Sequence, residues 1–186
     1  MAEVIALPAS SVIIVRDAPF EVLMILRHEQ SSFAPNAWVF PGGAVDAEDG
    51  EPGTLAAMKA AAERETFEET AIRLDDELVW TSRWITPAGL PKRFDTWFFL
   101  AVVPRDVPVT LQEEEAVDYV WISPTEAIRR HSAGDFPMVF PTIRNLEAIA
   151  DAKYAAELIE SRRGADIQPV EPVMLVEGGR RRIVVP

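Results

Sequence analysis

Cysteine is absent from this 186-residue chain, and histidine occurs only twice. Disulfides, zinc–thiolate sites and cysteine nucleophiles are thereby excluded. Basic residues are also scarce: 18 Lys and Arg stand against 30 Asp and Glu, a formal net charge of −12. So acidic a surface argues against general binding of nucleic acid or anionic membranes. A small anionic substrate remains compatible, because a bound cation inverts the local field. No apolar run approaches the ~20 residues that a membrane-spanning helix needs. The first residues, MAEVIALPASSVIIV, lack a basic region and are broken by Pro8 and two serines, so no signal peptide is read. A soluble cytoplasmic protein is expected. Hydrophobic residues make up 48% of the chain, enough for one globular domain over residues 1–186. Its core is expected over about residues 11–160, with a tail over 161–186.

The stretch from Val39 to Leu74 organises the rest. It reads as a short strand, the turn Pro41-Gly42-Gly43, an acidic loop and a helix. Thr54 is the candidate N-cap of a helix running to about Thr70. Near its end stand Arg64, Glu65, Glu68 and Glu69. Positions 65, 68 and 69 are neighbours at i, i+3 and i+4, so three carboxylates crowd one patch. Each like-charge pair at that spacing costs about 0.2–0.5 kcal/mol. A solvated acidic face would tolerate this. A hard divalent cation would offset it, since Mg²⁺ takes carboxylate oxygens and completes its shell with water and substrate phosphates. Arg64 is read as a holder of the carboxylates, because a guanidinium fork matches carboxylate geometry. Leu55, Met58 and Ala62 follow one helix face, and Ala57, Ala61 and Phe67 another. A helix packed from two sides is expected, with its carboxylate end at solvent.

Taken together, Phe40-Pro41-Gly42-Gly43 and Arg64-Glu65-Thr66-Phe67-Glu68-Glu69-Thr70-Ala71-Ile72 resemble the Nudix hydrolase box. Every charged position of its second half matches. Thr66 replaces an aliphatic residue, Ala71 replaces glycine, and the loop is longer than the standard one. The first box glutamate is therefore open between Glu48 and Glu51.

Around the box, Ser11–Arg16 and Phe20–Arg27 read as a hairpin over Asp17-Ala18-Pro19. Leu78–Thr86 and Trp97–Val103 read as strands, with Lys92, Arg93 and Phe94 ahead of the second. Lys92 and Arg93 suit contacts to substrate phosphate. Gln112-Glu113-Glu114-Glu115 precedes the strand Val117–Ile122. Ser123-Pro124-Thr125-Glu126 is a capping box with proline at N1, opening a helix to about His131. A further helix is expected from about Thr142 to Ser161. The tail runs Val173–Val176 and Ile183–Val185, around Gly178-Gly179, suggest a hairpin, or an edge strand that pairs with a second copy in a homodimer.

Strands and helices without a βαβ rhythm favour an α+β class. The resemblance sharpens this to the Nudix fold, an α/β/α sandwich around a mixed β-sheet. It implies hydrolysis of a diphosphate joined to another moiety, using Mg²⁺ or Mn²⁺. The implied metal ligands are Glu65, Glu68, Glu69 and Glu115, chosen over Glu113 and Glu114, with a carbonyl at Gly43. The implied catalytic residues are Glu65, Glu69 and Arg64, with Glu65 or Glu69 as base and Glu48 a weaker candidate. Arg27, Lys92, Arg93 and Phe94 are the expected substrate contacts. The wider pattern, including ITPAGLPKRFDTWFFLA and FPTIRNLEAIA, looks like the branch related to coenzyme A diphosphatases. Coenzyme A or an acyl derivative is thus the leading small-molecule substrate, followed by ADP-ribose, NADH, dinucleotides and nucleotide sugars. A Nudix-fold binding or regulatory domain without turnover is the reading from another class.

Overall fold

The computed structural model describes residues 4–74, 77–177 and 180–185. The β-branched run ahead of the first turn forms β1 (Leu7–Arg16), and the chain returns as β2 (Glu21–Arg27). These two strands pair only next to their turn, at Val15–Val22 and Arg16–Glu21. Beyond it they splay, and the segment Trp38 to Ala44 fills the gap. Its first part, β3 (Trp38–Val39), pairs with β2, and its second, β4 (Gly42–Ala44), pairs with β1. Pro41 O accepts hydrogen bonds from Val12 N (2.8 Å) and Ser11 Oγ (2.9 Å). The glycine turn is thereby clamped inside a split sheet.

The other edge of β1 pairs in parallel with β6 (Phe94–Val102), which pairs antiparallel with β5 (Val79–Ile85). β7 (Ala116–Ile122) runs antiparallel along β2, and β8 (Pro169–Val170) runs parallel beside β5. The sheet is therefore mixed. Alternation along β1 sends Val12 and Ile14 to one side and Ile13 and Val15 to the other, and all four are fully buried. The first side packs under helix α1 (Leu55–Thr70), through Met58 and Ala62. The second packs under α2 (Pro124–Ala133), α3 (Phe140–Ile149) and α4 (Ala155–Arg162). This is an α/β/α sandwich around a mixed sheet, α+β in class, as the resemblance implied.

Several elements differ from expectation. The first strand starts at Leu7, and the sheet includes Pro169–Val170. The single helix expected over 142–161 is two, α3 and α4, and Asp17 Oδ1 accepts the Ala155 amide (2.9 Å) at the start of the second. A turn residue on the opposite element thus supplies a cap that no local spacing announces. In α2 the Ser123 hydroxyl accepts the Glu126 amide as expected, but the Glu126 carboxylate pairs bidentately with Arg129 instead of closing the box. Leu55 and Phe67 are exposed, so α1 is buried on one broad side, and the Phe67 ring is covered by the Arg73 guanidinium at 4.3 Å. The tail forms the two-stranded sheet β9 (Val173–Glu177) and β10 (Arg180–Val184). Gly178-Gly179 lies outside the described residues. Among the described residues, no helix is long and apolar enough to cross a membrane.

Candidate metal centre and substrate cleft

Three elements converge on the C-terminal half of α1. Thr54 caps the helix start, its side chain accepting the Ala57 amide at 3.3 Å. The Ser10 hydroxyl donates to Met58 O at 2.7 Å and fixes the helix on β1. At the far end Thr110 N and Gln112 N donate to Thr70 O (2.9 Å) and Glu69 O (3.1 Å). His28 N donates to Glu115 O at 3.2 Å. These contacts carry the acidic loop before β7 onto the helix and bring Glu115 to it. One carboxylate oxygen from each of Glu65, Glu69 and Glu115 lies within 4.8 Å of the other two.

The glycine turn forms the wall opposite. A Cβ on Gly43 would stand 2.2 Å from Glu65 Oε2, and one on Gly42 (φ +150°) would stand 2.2 Å from Ser10 O. Only glycine admits this approach at both positions. Gly42 N donates to Glu69 Oε2 at 2.8 Å. Glu69 is 1% exposed, and its Oε1 has no hydrogen-bond partner, with Arg27 Nη1 at 3.7 Å. Burial pushes the Glu69 carboxyl up to about 8, against the Gly42 amide and the Arg27 charge, which lower it, and with Glu115 and Glu65, which raise it. Burial also raises Glu65, opposed by its hydrogen bond to Arg64. A carboxyl so buried, with a bare oxygen, ionises at neutral pH only beside a compensating charge. A hard cation holds its oxygens at about 2.0–2.6 Å, which puts the ligands of one ion within roughly 4–5 Å of each other. The spacing and the bare oxygen both fit such an ion.

Arg64 is hydrogen bonded to three carboxylates and a carbonyl. Nε and Nη2 grip Asp49 at 3.0 and 2.8 Å, Nη2 also reaches Ala44 O (3.0 Å), and Nη1 reaches Glu65 Oε1 (2.9 Å) and Glu68 Oε2 (3.0 Å). In the acidic loop Arg64 thus meets Asp49 and, at 3.7 Å, Asp46, while Glu48 and Glu51 are both exposed. Asp49 ends a 3-10 turn over Ala47–Asp49 and accepts the Asp46 amide at 2.8 Å. The Arg64 guanidinium holds its carboxyl below the usual carboxylate range. The Asp46-x-x-Asp49 spacing, a capping signal, was the one hint of it in the sequence. Glu68 stands outside the triangle, half exposed and turned toward Arg64. Glu113 and Glu114 are not part of that triangle.

A cleft of about 390 Å³ opens from Glu65, Glu115 and Gly43. Arg27, Lys92 and Phe94 line it. Arg93 does not, which corrects the expected phosphate contact. It is 5% exposed and hydrogen bonded to Thr86 O, Val4 O and Glu171. Lys92 and Phe94 thus face the cleft, while Arg93, just ahead of β6, pins the N-terminal segment and the tail.

Comparison with known proteins agrees with this arrangement. The NUDIX domain model matches residues 6–140. Nudix hydrolase 7 of Caenorhabditis elegans is 29% identical over 181 residues, covering 78% of this chain and 61% of its own length. Acyl-coenzyme A diphosphatase NUDT19 of Homo sapiens is 29% identical over 100 residues, covering 51% and 27%. The chain therefore spans less than two thirds of either relative. The crystal structure of a NUDIX hydrolase from Alicyclobacillus acidocaldarius superposes with a TM-score of 0.77 at 23% identity, covering 89% of this chain and all of that one. The matched span holds the split sheet, the glycine turn, the carboxylate helix and the loop that delivers Glu115, and the chain belongs to the Nudix family.

Proposed function

We propose that this protein is a divalent-metal-dependent hydrolase of the phosphoanhydride bond in a nucleoside-diphosphate derivative, with coenzyme A or an acyl-coenzyme A as its substrate. The observation that carries the chemistry is the Glu65–Glu69–Glu115 triangle with its bare, buried Glu69 oxygen. Glu65, Glu69 and Glu115 would hold Mg²⁺ or Mn²⁺, with the neighbouring Glu68 carboxylate and the Gly43 carbonyl completing the set. When bound, the ion would neutralise the diphosphate oxygens and lower the pKa of a water.

The chain's own residues do the rest. Arg64 locks Glu65 against Asp49, so the carboxylate keeps one rotamer. The Gly42 amide fixes one Glu69 oxygen and leaves the other facing the site. Water attacks phosphorus, the bridging P–O bond breaks with its electron pair on the departing phosphate, and the water's proton passes to Glu65 or Glu69. Arg27 and Lys92 offset the negative charge of the substrate in a chain of net charge −12. The aromatic wall that includes Phe33, Phe94 and Phe98 offers a surface for a planar base. The similarity to an acyl-coenzyme A diphosphatase supports the choice of substrate.

The test is chromatography of products with Mg²⁺ and then Mn²⁺, using coenzyme A, an acyl-coenzyme A, ADP-ribose, NADH, a diadenosine polyphosphate and a nucleotide sugar. Release of adenosine 3′,5′-bisphosphate from coenzyme A is the expected result. Cleavage only of another compound would keep the chemistry and overturn the substrate. No cleavage of any with either metal would overturn the enzyme reading in favour of a non-catalytic ligand-binding domain.

A further inference from the structure

Lys92 has a place in the cleft that the metal chemistry does not use. Its Nζ donates to the Ser32 hydroxyl at 2.7 Å and lies 5.2 Å from the centre of the Phe94 ring. Among the described residues no carboxylate pairs with it. Phe94 in turn meets Phe33 edge-to-face at 5.1 Å. Both the loop after β2 and the loop before β6 therefore contribute to this corner.

The corner is remote from the carboxylates, and the strand register gives the separation. Gly43, against Glu65, sits opposite Ser10 of β1, whereas Phe94 sits opposite Leu7. Three residues along a strand span about 10 Å. The carboxylates that line the cleft are Glu65 and Glu115, both at its inner end, and Arg27 there faces Glu69. Among the described residues that line the cleft, Lys92 is the cation of its outer end. A substrate whose diphosphate lies at Glu65 and whose base lies on Phe94 presents its ribose between them. A phosphate carried on that ribose would reach the Lys92 ammonium and the Ser32 hydroxyl.

We infer that Lys92, Ser32 and Phe94 form a second anion subsite, which recognises a phosphate monoester on the ribose, apart from the diphosphate that is cleaved. The inference rests on the hydrolase reading above and deepens it. It makes the protein selective for a ribose-phosphorylated nucleotide, such as coenzyme A, over the same molecule without that phosphate. A hydrogen-bonded ammonium–phosphate pair contributes a factor of about ten to a hundred to such selectivity.

Two measurements test it. The first compares kcat/KM for coenzyme A and 3′-dephospho-coenzyme A with Mn²⁺. The parent should prefer coenzyme A by about tenfold to a hundredfold, mainly through KM. Lys92→Met should bring the ratio near one, Lys92→Arg should restore much of it, and Ser32→Ala should lower it only slightly. The second is calorimetric binding of adenosine 3′,5′-bisphosphate and 5′-AMP without metal, which needs no turnover. The bisphosphate should bind more tightly to the parent and equally with 5′-AMP to Lys92→Met. Equal binding of the two nucleotides by the parent, or selectivity kept in Lys92→Met, would overturn the subsite. Selective binding without any hydrolysis would uphold the subsite and sink only the enzymatic reading.

Discussion

Replacing Glu69 by glutamine separates the charge of this buried carboxyl from its shape. The carboxyl is held at about 8 in the folded protein, against an ordinary value of 4.5. Its folded-state pKa is raised, so the stability it contributes is fully present below about pH 4.5 and is lost as pH rises through about 8. At 1.36 kcal/mol per pH unit, the gap corresponds to a loss on the order of 4–5 kcal/mol in metal-free protein. Glu65, raised by the same burial, adds a loss in the same direction. Glutamine is neutral throughout, and its carbonyl can still accept the Gly42 amide. In excess chelator, urea unfolding of the parent should therefore show stability falling from pH 5 to pH 8. Glu69→Gln should show a much flatter profile and should be the more stable protein at pH 8. Mn²⁺ at a hundred times its Kd should return about 2.7 kcal/mol to the parent at pH 8, and little to the variant. Parallel pH profiles for the two proteins, or equal rescue by Mn²⁺, would refute the reasoning.

Two of the three departures from the box should each carry a cost. Thr66 is buried with its hydroxyl unpartnered, so Thr66→Val should raise stability by about 1 kcal/mol in denaturant titration. Ala71 caps α1 in the left-handed region at φ 57°, so Ala71→Gly should add about 0.5–1 kcal/mol, less whatever the freer glycine gains when unfolded. A loss of stability in either variant would contradict this. Gly43→Ala drives a methyl into the Glu65 carboxylate, and such a displacement should lower kcat by about a hundredfold or more while the melting temperature falls only slightly. Arg93→Met removes the bonds to Val4 O, Thr86 O and Glu171. It should cost about 2–3 kcal/mol of stability with KM unchanged, and a raised KM at unchanged stability would restore Arg93 to the substrate side.

The elements fixed by local chemistry were legible in the sequence: the β-branched first strand, the Thr54 cap, the glycine turn, and the helix that carries Arg64 and its glutamates. What escaped depends on partners distant in the chain. Asp49 bonds Arg64 from the end of a 3-10 turn, and that turn was not read from the sequence. Arg93 looked like a phosphate ligand because charge is visible in sequence, whereas its bonds to Val4 O and Thr86 O, and the place of its neighbours Lys92 and Phe94 in the cleft, are set by the fold. The break between α3 and α4 is stabilised by Asp17, which lies 138 residues away from Ala155. Glu115 could be singled out from its acidic run only through the family offset. Its place beside the helix comes from backbone bonds of Thr110 and Gln112 to the end of α1.

Whether the carboxylate triangle holds a cation that hydrolysis depends on is tested most directly by titrating Mn²⁺ by electron paramagnetic resonance, with coenzyme A turnover read in the same samples. The parent should bind Mn²⁺, and its rate should rise in proportion to occupancy. Glu69→Gln and Glu115→Gln should bind it far more weakly and lose turnover together with it. Undiminished Mn²⁺ binding in both variants, or turnover that persists when the ion is removed, would contradict the account.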